Sequence, residues 1–310
     1  MMKVKEIWST FKKEFDIVGI IKTSRYIDEA KKQKSYHKNL NYPTMVVLGL
    51  SYPKIIISST KTHLVPSIYT FGRDYHSVIK EKFSKLVGFF DFPYELHVDN
   101  HEYNERLAAS LAGIGFFGKN QLIINKDYGS FIFLALVMLD ITIEQEIIGT
   151  VIDNCNDCIK CIEACPVNAL NDYTYDMKKC ISYFNQSKDL VDHHQITANY
   201  CLFGCDICQL VCPKNQNLVP VSHNSFSLTG KESISITDLF QMSEKAFIKK
   251  YSDMAYLWKG KTILMRNALM IMGRQKNDLY LSEIKESLRK HSTFWYQDTS
   301  HKVLKLIEKK

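Results

Sequence analysis

Nine cysteines, all between residues 155 and 212, are the side chains of this sequence best suited to chemistry. The first four occupy the spacing of bacterial ferredoxins and precede a proline: Cys155, Cys158, Cys161 and Cys165. Three closely spaced thiolates bind one face of an iron–sulfur cubane, whereas the fourth reaches a second cluster. Zinc sites use paired hooks separated by a spacer, so two zinc sites are the weaker interpretation. The pattern therefore predicts two [4Fe–4S] clusters.

A second run of cysteines, in "GCDICQLVCPK", keeps ferredoxin spacing only at Cys205, Cys208 and Cys212. The crossing rule places Cys212 with the first three cysteines of the chain. The other cluster then takes Cys165, Cys205, Cys208 and one further ligand.

Two cysteines compete for that last position, Cys180 and Cys201. Cys201 suits a ferredoxin with one stretched loop, whereas Cys180 requires its segment to fold back onto the cluster. Three residues between Cys201 and Cys205 are the wrong reach for the repeated turn, so spacing mildly favours Cys180. The cysteine left over is expected to be a buried, unreactive thiol.

The remaining sequence limits the class of protein. A cysteine cluster inside a chain of 310 residues is unlike a disulfide scaffold, which is small and cysteine-rich throughout. The N-terminal residues resemble neither a signal peptide nor a twin-arginine signal. The apolar run 131–139 is too short to cross a bilayer and predicts a buried strand. We therefore expect a soluble, cytoplasmic protein without a membrane partner.

Charge is concentrated at the C-terminal end. The chain carries a net charge of +7, whereas residues 241–310 alone contain 15 Lys and Arg against 7 Asp and Glu, a net charge of +8. A basic module on a near-neutral body favours a polyanionic partner, nucleic acid first. A solvated lysine-rich helix surface explains the same charge equally well.

Apolar periodicity predicts the elements that position these residues. The predicted helices cover 3–15, 26–34, 74–90, 104–119, 236–252, 261–273, 279–291 and 300–310. The predicted strands cover 16–22, 44–52, 94–99, 121–125 and 130–141. Helices alternating with strands over residues 1–150 predict an α/β or α+β domain built on one sheet. A helical tail this short is expected to pack on the main body.

Several ordered segments together resemble one family, the epoxyqueuosine reductases. They are "FGRDYH" (71–76), "VDNHEYNERLAASLAGIGFFGKNQLIINKDYGSFIFLALVMLD" (98–140), the two cysteine runs, "KKCISY" and "KGKTILMRNALMIMG". The resemblance implies an α+β fold in four parts. These are an N-terminal α/β cobalamin-binding domain (1–150), a ferredoxin-like dicluster domain (151–220), a linker (221–235) and a short, α-helical HEAT-like tail (236–310).

The resemblance also implies an activity. The family reduces epoxyqueuosine to queuosine at the wobble position of tRNA, with cobalamin as redox partner and two [4Fe–4S] clusters as electron relay. It implies that Cys180 is the remaining ligand and Cys201 the extra cysteine. The expected partners are a tRNA anticodon loop and an external donor such as flavodoxin or ferredoxin, and the expected state is a monomer.

An epoxide oxygen leaves poorly unless it is protonated, so the reaction needs a general acid. The resemblance assigns this role to Asp99, whose pKa is expected to rise over an apolar corrin face. The alternative is that Asp99 caps the helix that begins near Asn104. The chain departs from the family by lacking a proline after Asp99, which leaves the local loop geometry open.

Two further sets of candidate residues follow, the first from the resemblance and the second from the basic charge of the tail together with the expected tRNA partner. A tight helix-to-strand turn is the alternative explanation for the glycines of the first set. Expected cofactor contacts are Gly113, Gly115, Gly118, Lys119, Gly129, Ser130, Ser182 and Tyr183. Expected nucleic-acid contacts are Arg73, Arg106, Lys259, Lys261, Arg266 and Arg274. We expect His76 to be a hydrogen-bonded structural residue and not a cobalt ligand.

Three other functions share parts of the pattern. A reductive dehalogenase would use cobalamin and two clusters, but usually carries a twin-arginine signal and has no need of a basic tail. A non-catalytic dicluster electron carrier would bind no cobalamin. A structural RNA-binding protein with zinc sites would contain zinc and no acid-labile sulfide.

Overall fold

The computed structural model describes residues 3–33, 40–151 and 154–308. Its helices are α1 (Val4–Phe11), α2 (Thr23–Lys32), α3 (Tyr75–Ser84), α4 (Glu105–Leu111), α5 (Lys160–Glu163), α6 (Ile181–Phe184), α7 (His193–Ala198), α8 (Ile207–Leu210), α9 (Ile236–Gln241), α10 (Glu244–Lys250), α11 (Lys261–Arg274), α12 (Leu281–Lys290) and α13 (Phe294–Glu308). Its strands are β1 (Ile17–Lys22), β2 (Thr44–Ser51), β3 (His63–Leu64), β4 (Tyr94–His97), β5 (Phe116–Phe117), β6 (Ile123–Ile124), β7 (Ile132–Leu139), β8 (Leu170–Asn171), β9 (Thr174–Tyr175) and β10 (Ile234–Ser235).

The chain forms two compact units that interleave along the sequence. Unit 1 comprises Met1–Pro53, Tyr75–Ile159 and Cys212–Asn224. Unit 2 comprises Lys54–Asp74, Lys160–Val211 and Ser225–Lys310. This division differs from the predicted contiguous domains, because the cysteine-rich segment contributes residues to both units. The mixture of helices with antiparallel sheets is the α+β class that the sequence predicts.

Unit 1 is built on a four-stranded antiparallel sheet with strand order β1-β2-β7-β4. Every residue of the central strand β2 is buried. The neighbouring strand β7 contains most of the apolar run 131–139, and the prediction of a buried strand there is confirmed. Strands covered on both faces are continuously apolar, which explains why these two do not alternate. Helices α2 and α4 pack against this sheet.

Unit 2 has one core that joins the C-terminal helices to the cysteine-rich segment. Side chains of α6, α7 and the loop 199–203 are buried together with those of α9, α11 and α13. The predicted packing of the tail on the body is therefore confirmed within this unit. Part of the predicted linker is also built into the unit, because β10 pairs with β3 and Phe226 is buried. The prediction of a polar linker over 221–235 is wrong for these residues.

Most predicted elements exist with shorter ends. The helix predicted over 236–252 is two helices, because Ser243 interrupts the first and caps the second by accepting a hydrogen bond from the Ala246 backbone. The last residue of the helix predicted over 26–34 and the last two of the one over 300–310 lie outside the described residues. None of the helices in the described ranges has the length and apolar character needed to cross a membrane.

Candidate active site and cluster-binding segments

Asp99 lies just after β4, where Tyr75 and His76 from the start of α3 reach its carboxylate. The Tyr75 hydroxyl donates to Oδ2 of Asp99 at 3.1 Å. The Nε2 atom of His76 lies 3.6 Å from the same oxygen. The Asp99 side chain is 53% exposed and that of His76 26%, so the carboxylate is the outer member of the group. A hydroxyl, an imidazole and a carboxylate in contact can hold and move a proton.

The pKa of Asp99 is lower than its ordinary value. Contact with the His76 imidazole is the largest cause, burial opposes it, and the Tyr75 hydroxyl adds to the lowering. The expectation of a raised pKa concerns Asp99 over a corrin face and stays a prediction, whereas the side chains of this chain by themselves lower that pKa. Both neighbours stabilise the carboxylate more than partial burial destabilises it.

The backbone of Asp99 has a φ of 53°, in the left-handed region. This conformation costs a non-glycine residue roughly 1 kcal/mol, less for aspartate than for most. The Asp99 amide donates to Oε1 of Glu105 at 3.0 Å, which holds the turn. The side chain of Glu105 therefore fixes the loop in which the family's proline is missing.

Glu105 also binds His101, and the structure fixes the tautomer of that ring. The Nδ1 atom of His101 accepts from the Tyr103 amide, so Nε2 carries the hydrogen that it donates to Glu105. The cap of α4 is Asn104, whose side chain accepts from the Leu107 amide at 3.1 Å. Asp99 is thus not the helix cap, and the structural alternative for it is wrong.

Tyr75 is held in a stack of aromatic rings. Its ring lies parallel to that of Phe133 on β7, with centroids 4.3 Å apart and an interplanar angle of 3°. Phe133 in turn contacts Tyr52 at 4.4 Å, and Tyr75 stacks on His76 at 4.1 Å. Buried rings have few alternative rotamers, so the sheet fixes where the Tyr75 hydroxyl and the His76 imidazole lie.

A cavity of 590 Å³ opens in unit 1 beside the predicted glycine-rich turn. Its wall includes Gly113 and Gly115, and its charged residues are Lys12, Lys126, Lys214, Asp16 and Asp127. Gly113 has a φ of 67°, and a Cβ atom there would lie 2.0 Å from the Gly149 carbonyl oxygen. Glycine is needed here for close backbone packing, and the prediction that it ends α4 is confirmed.

The predicted pair Gly129 and Ser130 contacts the turn after Cys212. The Asn215 side chain accepts from the Ser130 amide and donates to the Ser130 hydroxyl, each at 2.8 Å. A Cβ atom on Gly129, whose φ is 57°, would lie 2.0 Å from the Asn215 oxygen. The pair therefore anchors a cysteine-bearing turn. The prediction omitted Asn215, although it ends the motif "CPKN".

The unit 1 cysteines approach one another as the first cluster requires. Burial raises the pKa of the Cys212 thiol, and the nearby thiols of Cys155 and Cys158 raise it further. The Lys119 amide donates to Sγ of Cys155 at 3.4 Å. Lys119 is buried. Its backbone amide thus contacts a ligand of the predicted first cluster. These contacts agree with the crossing rule, which groups Cys212 with the first run.

The unit 2 cysteines form a second neighbourhood. Burial raises the pKa of Cys208 well above its ordinary value, and the thiols of Cys205, Cys180 and Cys161 add to the effect. Burial and the Cys180 thiol likewise raise the pKa of Cys205, to about 12. Sγ of Cys165 accepts from the Ala169 amide at 3.3 Å.

Crowded, buried thiols of this kind fit a cluster, which requires them as thiolates and compensates their charge. Among the described residues, no three His, Cys, Asp or Glu side chains converge closely enough to form a single-ion site.

Cys201 has different surroundings. It is 2% exposed, and its thiol donates to the carbonyl oxygens of Phe203 at 3.3 Å and Val65 at 3.7 Å. Those contacts are typical of a buried structural thiol.

Two predicted nucleic-acid contacts are buried, and the prediction is wrong for both. Arg266 is 0% exposed, and burial lowers its pKa to about 10. Its guanidinium donates to the carbonyl oxygens of Phe184 at 2.7 Å and Ser187 at 2.8 Å. Lys261 is 6% exposed and donates to the carbonyl of Met242. Neither side chain can reach a phosphate from these positions.

The other predicted contacts remain predictions. Arg73, Arg106, Lys259 and Arg274 are exposed. Arg106 donates to the Gln121 carbonyl at 2.7 Å, and the ammonium of Lys259 lies 3.6 Å from the centre of the Trp258 ring. Ser182 and Tyr183 lie on α6, directly after Cys180, where they are partly buried.

Comparison with known proteins identifies the cysteine-rich segment. A family model described as a 4Fe-4S double cluster binding domain matches residues 154–215. The epoxyqueuosine reductase of Bacillus subtilis is 32% identical over 260 residues, which cover 80% of this chain and 67% of that protein. The enzyme of the same name from Lactococcus garvieae is 29% identical over 282 residues, which cover 86% of this chain and 79% of that protein.

Solved structures agree with these relatives. The structure of epoxyqueuosine reductase from Streptococcus thermophilus superposes with a TM-score of 0.83 at 25% identity, covering 100% of this chain and 91% of that one. An epoxyqueuosine reductase crystallised with an epoxyqueuosine-modified tRNA-Tyr stem loop has a TM-score of 0.81 at 24% identity, covering 98% of each chain. At that identity the second likeness shows the fold alone.

Proposed function

Because this chain belongs to the epoxyqueuosine reductase family, we propose that it reduces epoxyqueuosine to queuosine in tRNA. Both carbon–oxygen bonds of the epoxide break, a carbon–carbon double bond forms, and the oxygen leaves as water with two electrons and two protons. One observation carries the proposal. Unit 1 contains both the Asp99 group, which can manage protons, and the thiols of Cys155, Cys158 and Cys212.

The chain is an oxidoreductase of the type that uses two [4Fe–4S] clusters and cobalamin. When bound, the clusters supply single electrons and cobalamin supplies a strongly reducing, nucleophilic metal centre. The proposed ligand sets are Cys155, Cys158, Cys161 and Cys212 for the first cluster, and Cys165, Cys180, Cys205 and Cys208 for the second. The crowded thiols, most of them partly buried, fit these groups.

The cavity of unit 1 fits part of a corrinoid. It has room for a side arm and not for the whole macrocycle, and the three lysines at its wall, which outnumber the carboxylates of Asp16 and Asp127, suit a phosphate-bearing tail. We assign Gly113 and Gly115 to this contact, whereas Gly118 lies outside the cavity wall and stays a predicted contact. The effect on the cofactor would be indirect for Lys119, Gly129 and Ser130, because they contact Cys155 or the turn after Cys212.

Asp99, His76 and Tyr75 would handle the proton that the leaving oxygen requires. The lowered pKa of Asp99 leaves its carboxylate ionised at neutral pH, so the proton that the leaving oxygen requires would reach Asp99 from its neighbours His76 and Tyr75. As negative charge develops on the epoxide oxygen, Asp99, the more exposed partner, would pass that proton outward. The strained backbone of Asp99 and the hydrogen bond that its amide donates to Glu105 fix the direction of the carboxylate. Two coupled groups of this kind titrate as a pair.

A tRNA partner accords with the basic C-terminal region and with the related enzyme solved with a modified stem loop. The wobble base would leave the stack to be read at the site, as other base-modifying enzymes require. Arg73, Arg106, Lys259 and Arg274 are the proposed phosphate contacts. A flavodoxin or ferredoxin as electron donor, a monomeric state and a cytoplasmic location complete the proposal.

The function is tested by reconstitution. The chain, purified without oxygen, is loaded with iron, sulfide and cobalamin and given a strong reductant and tRNA that carries epoxyqueuosine. We expect nucleoside mass spectrometry to show loss of one oxygen from the modified base. Omission of cobalamin should abolish the conversion, and untransformed tRNA with all cofactors bound would contradict the proposal.

A further inference from the structure

Tyr200 places its hydroxyl against a cysteine of the second cluster set. The oxygen of Tyr200 lies 3.6 Å from Sγ of Cys205, within the range of a hydrogen bond to sulfur. The same oxygen accepts a hydrogen bond of 2.7 Å from the Asp206 amide. The ring packs against the buried core of unit 2, which restricts its rotation. The hydroxyl is therefore held by both the fold and the backbone.

The direction of the Tyr200 hydrogen follows from these two contacts. The Asp206 amide can only donate, so the Tyr200 oxygen is the acceptor in that bond. Its hydrogen is then free to point at the Cys205 sulfur, where a thiolate is a strong acceptor. A tyrosine hydroxyl with an ordinary pKa near 10 remains protonated at working pH. Tyr200 is thus a permanent hydrogen-bond donor to this sulfur.

We propose that Tyr200 raises the reduction potential of the second cluster through this hydrogen bond, an inference that rests on the cluster assignment above. Reduction adds one electron, and the extra negative charge spreads onto the cysteine sulfurs. A donor aimed at one sulfur stabilises the reduced form more than the oxidised form, so the potential rises. Tyr200 is accordingly a positioning and tuning residue that touches a cluster ligand.

Two sulfurs of other predicted cluster ligands have donors of a different kind. Sγ of Cys155 and Sγ of Cys165 accept from backbone amides, of Lys119 and Ala169. Backbone donors cannot be removed by changing a side chain, whereas the donor of Tyr200 can. A single side-chain substitution should therefore be able to shift the reduction potential of the second cluster.

The test is a potentiometric titration of the reconstituted protein, followed by electron paramagnetic resonance, for wild type and Tyr200→Phe. We expect the midpoint potential of one cluster to move to a more negative value while the other stays unchanged. The matched control is Tyr256→Phe, because Tyr256 is a buried tyrosine of the same unit whose hydroxyl donates to the Lys231 carbonyl and not to a sulfur. It should leave both potentials unchanged.

Tyr200→Phe also removes the acceptor of the Asp206 amide and could cost the cluster its stability. Replacing Tyr200 with 3,5-difluorotyrosine avoids this, since the oxygen stays and the hydroxyl becomes a stronger donor. We expect this variant to shift the same cluster to a more positive potential.

Two failures are distinguishable. If both clusters assemble and neither Tyr200 variant moves a potential, this inference is overturned while the proposed function stands. If the wild-type chain assembles no second cluster, the cofactor assignment fails, and this inference fails with it.

Discussion

Asp99 lies at the end of a short chain of contacts that begins in the central sheet. Phe133 on β7 holds Tyr75 by stacking, and Tyr75 and His76 hold the carboxylate. The sequence around Asp99 does not predict its contacts with Tyr75 and His76, because these partners precede it by more than twenty residues. The motif "FGRDYH" did predict that this segment belongs to the site, but it gave His76 only a structural role.

At the residue scale, His76→Gln should change the pH dependence of turnover. His76 lowers the pKa of Asp99, so its removal should raise that pKa toward the ordinary value of about 3.9. The rate should then begin to fall at a higher pH on the acid side. The maximum rate should drop by about 10²-fold or more, because a general acid is lost.

A profile of kcat/KM against pH for the two proteins, each with full cluster content, measures both effects. His291→Gln is the control, as that ring lies in unit 2. An acid limb that does not move would show that His76 leaves Asp99 unaffected during turnover.

At the element scale, Asp16 joins the start of β1 to the end of β2. Its carboxylate accepts from the amide and hydroxyl of Ser51 and contacts His223 at 3.2 Å. Burial raises the pKa of Asp16, but these hydrogen bonds together outweigh burial and lower it. A carboxylate with a lowered pKa stabilises the fold above its unfolded pKa, and that contribution is lost as the pH falls through the folded pKa.

Asp16→Asn should therefore reduce the free energy of unfolding by about 1–3 kcal/mol at pH 7. The difference from wild type should be constant from pH 8 to about pH 5 and narrow below about pH 4. Thermal melts without oxygen measure it, with Asp127→Asn, a half-exposed aspartate paired with Lys126, as control. A deficit that persists undiminished in acid would show that packing and not charge explains the loss.

Helix α11 has a structural role that the sequence analysis did not predict. Next to Arg266, the helix carries Asn267. The Asn267 side chain donates to the carbonyl oxygens of Asn185 at 2.6 Å and Leu202 at 2.9 Å. Asn185 ends the helix that follows Cys180, and Leu202 lies three residues before Cys205. One buried amide thus joins both loops that carry second-cluster cysteines.

Asn267→Leu should loosen both loops, because two buried carbonyls lose their donor. We expect iron and acid-labile sulfide to fall toward half of the wild-type content, with the first cluster retained. Asn277→Leu is the matched control, since this buried asparagine of unit 2 donates to the Lys61 carbonyl. Equal iron content in the two variants would contradict the anchoring role.

The extent of sequence-based prediction follows from these cases. Apolar periodicity predicted β2, β7 and α11, because local patterning determines which segments form elements. Spacing favoured Cys180 over Cys201 only mildly, and the family resemblance was needed to choose. The positive charge of the tail placed Arg266 on the RNA, yet its partners are carbonyls nearly eighty residues earlier. Local sequence patterns do not predict hydrogen bonds between residues so far apart in the chain.

At the scale of the whole molecule, the C-terminal charge is only partly available to a polyanion. Burial removes Lys261 and Arg266, which leaves Lys259 and Arg274 among the predicted contacts of this region. Lys259→Gln and Arg274→Gln should each weaken tRNA binding and reduce the slope of log Kobs against log salt by about 0.7–1. Filter binding at several salt concentrations measures the slope, with Lys5→Gln in unit 1 as control. Unchanged slopes would mean that other cations neutralise the phosphates.

The most direct test of the account compares wild type and Asp99→Asn in a single turnover with epoxyqueuosine-containing tRNA. Both proteins must carry equal cluster and cobalamin content, and Asp91→Asn, another exposed aspartate of unit 1, serves as control. We expect wild type and control to convert the base to queuosine, and Asp99→Asn to be at least about 10²-fold slower with unchanged tRNA affinity. Conversion by Asp99→Asn at the wild-type rate would contradict the role of this carboxylate in proton transfer.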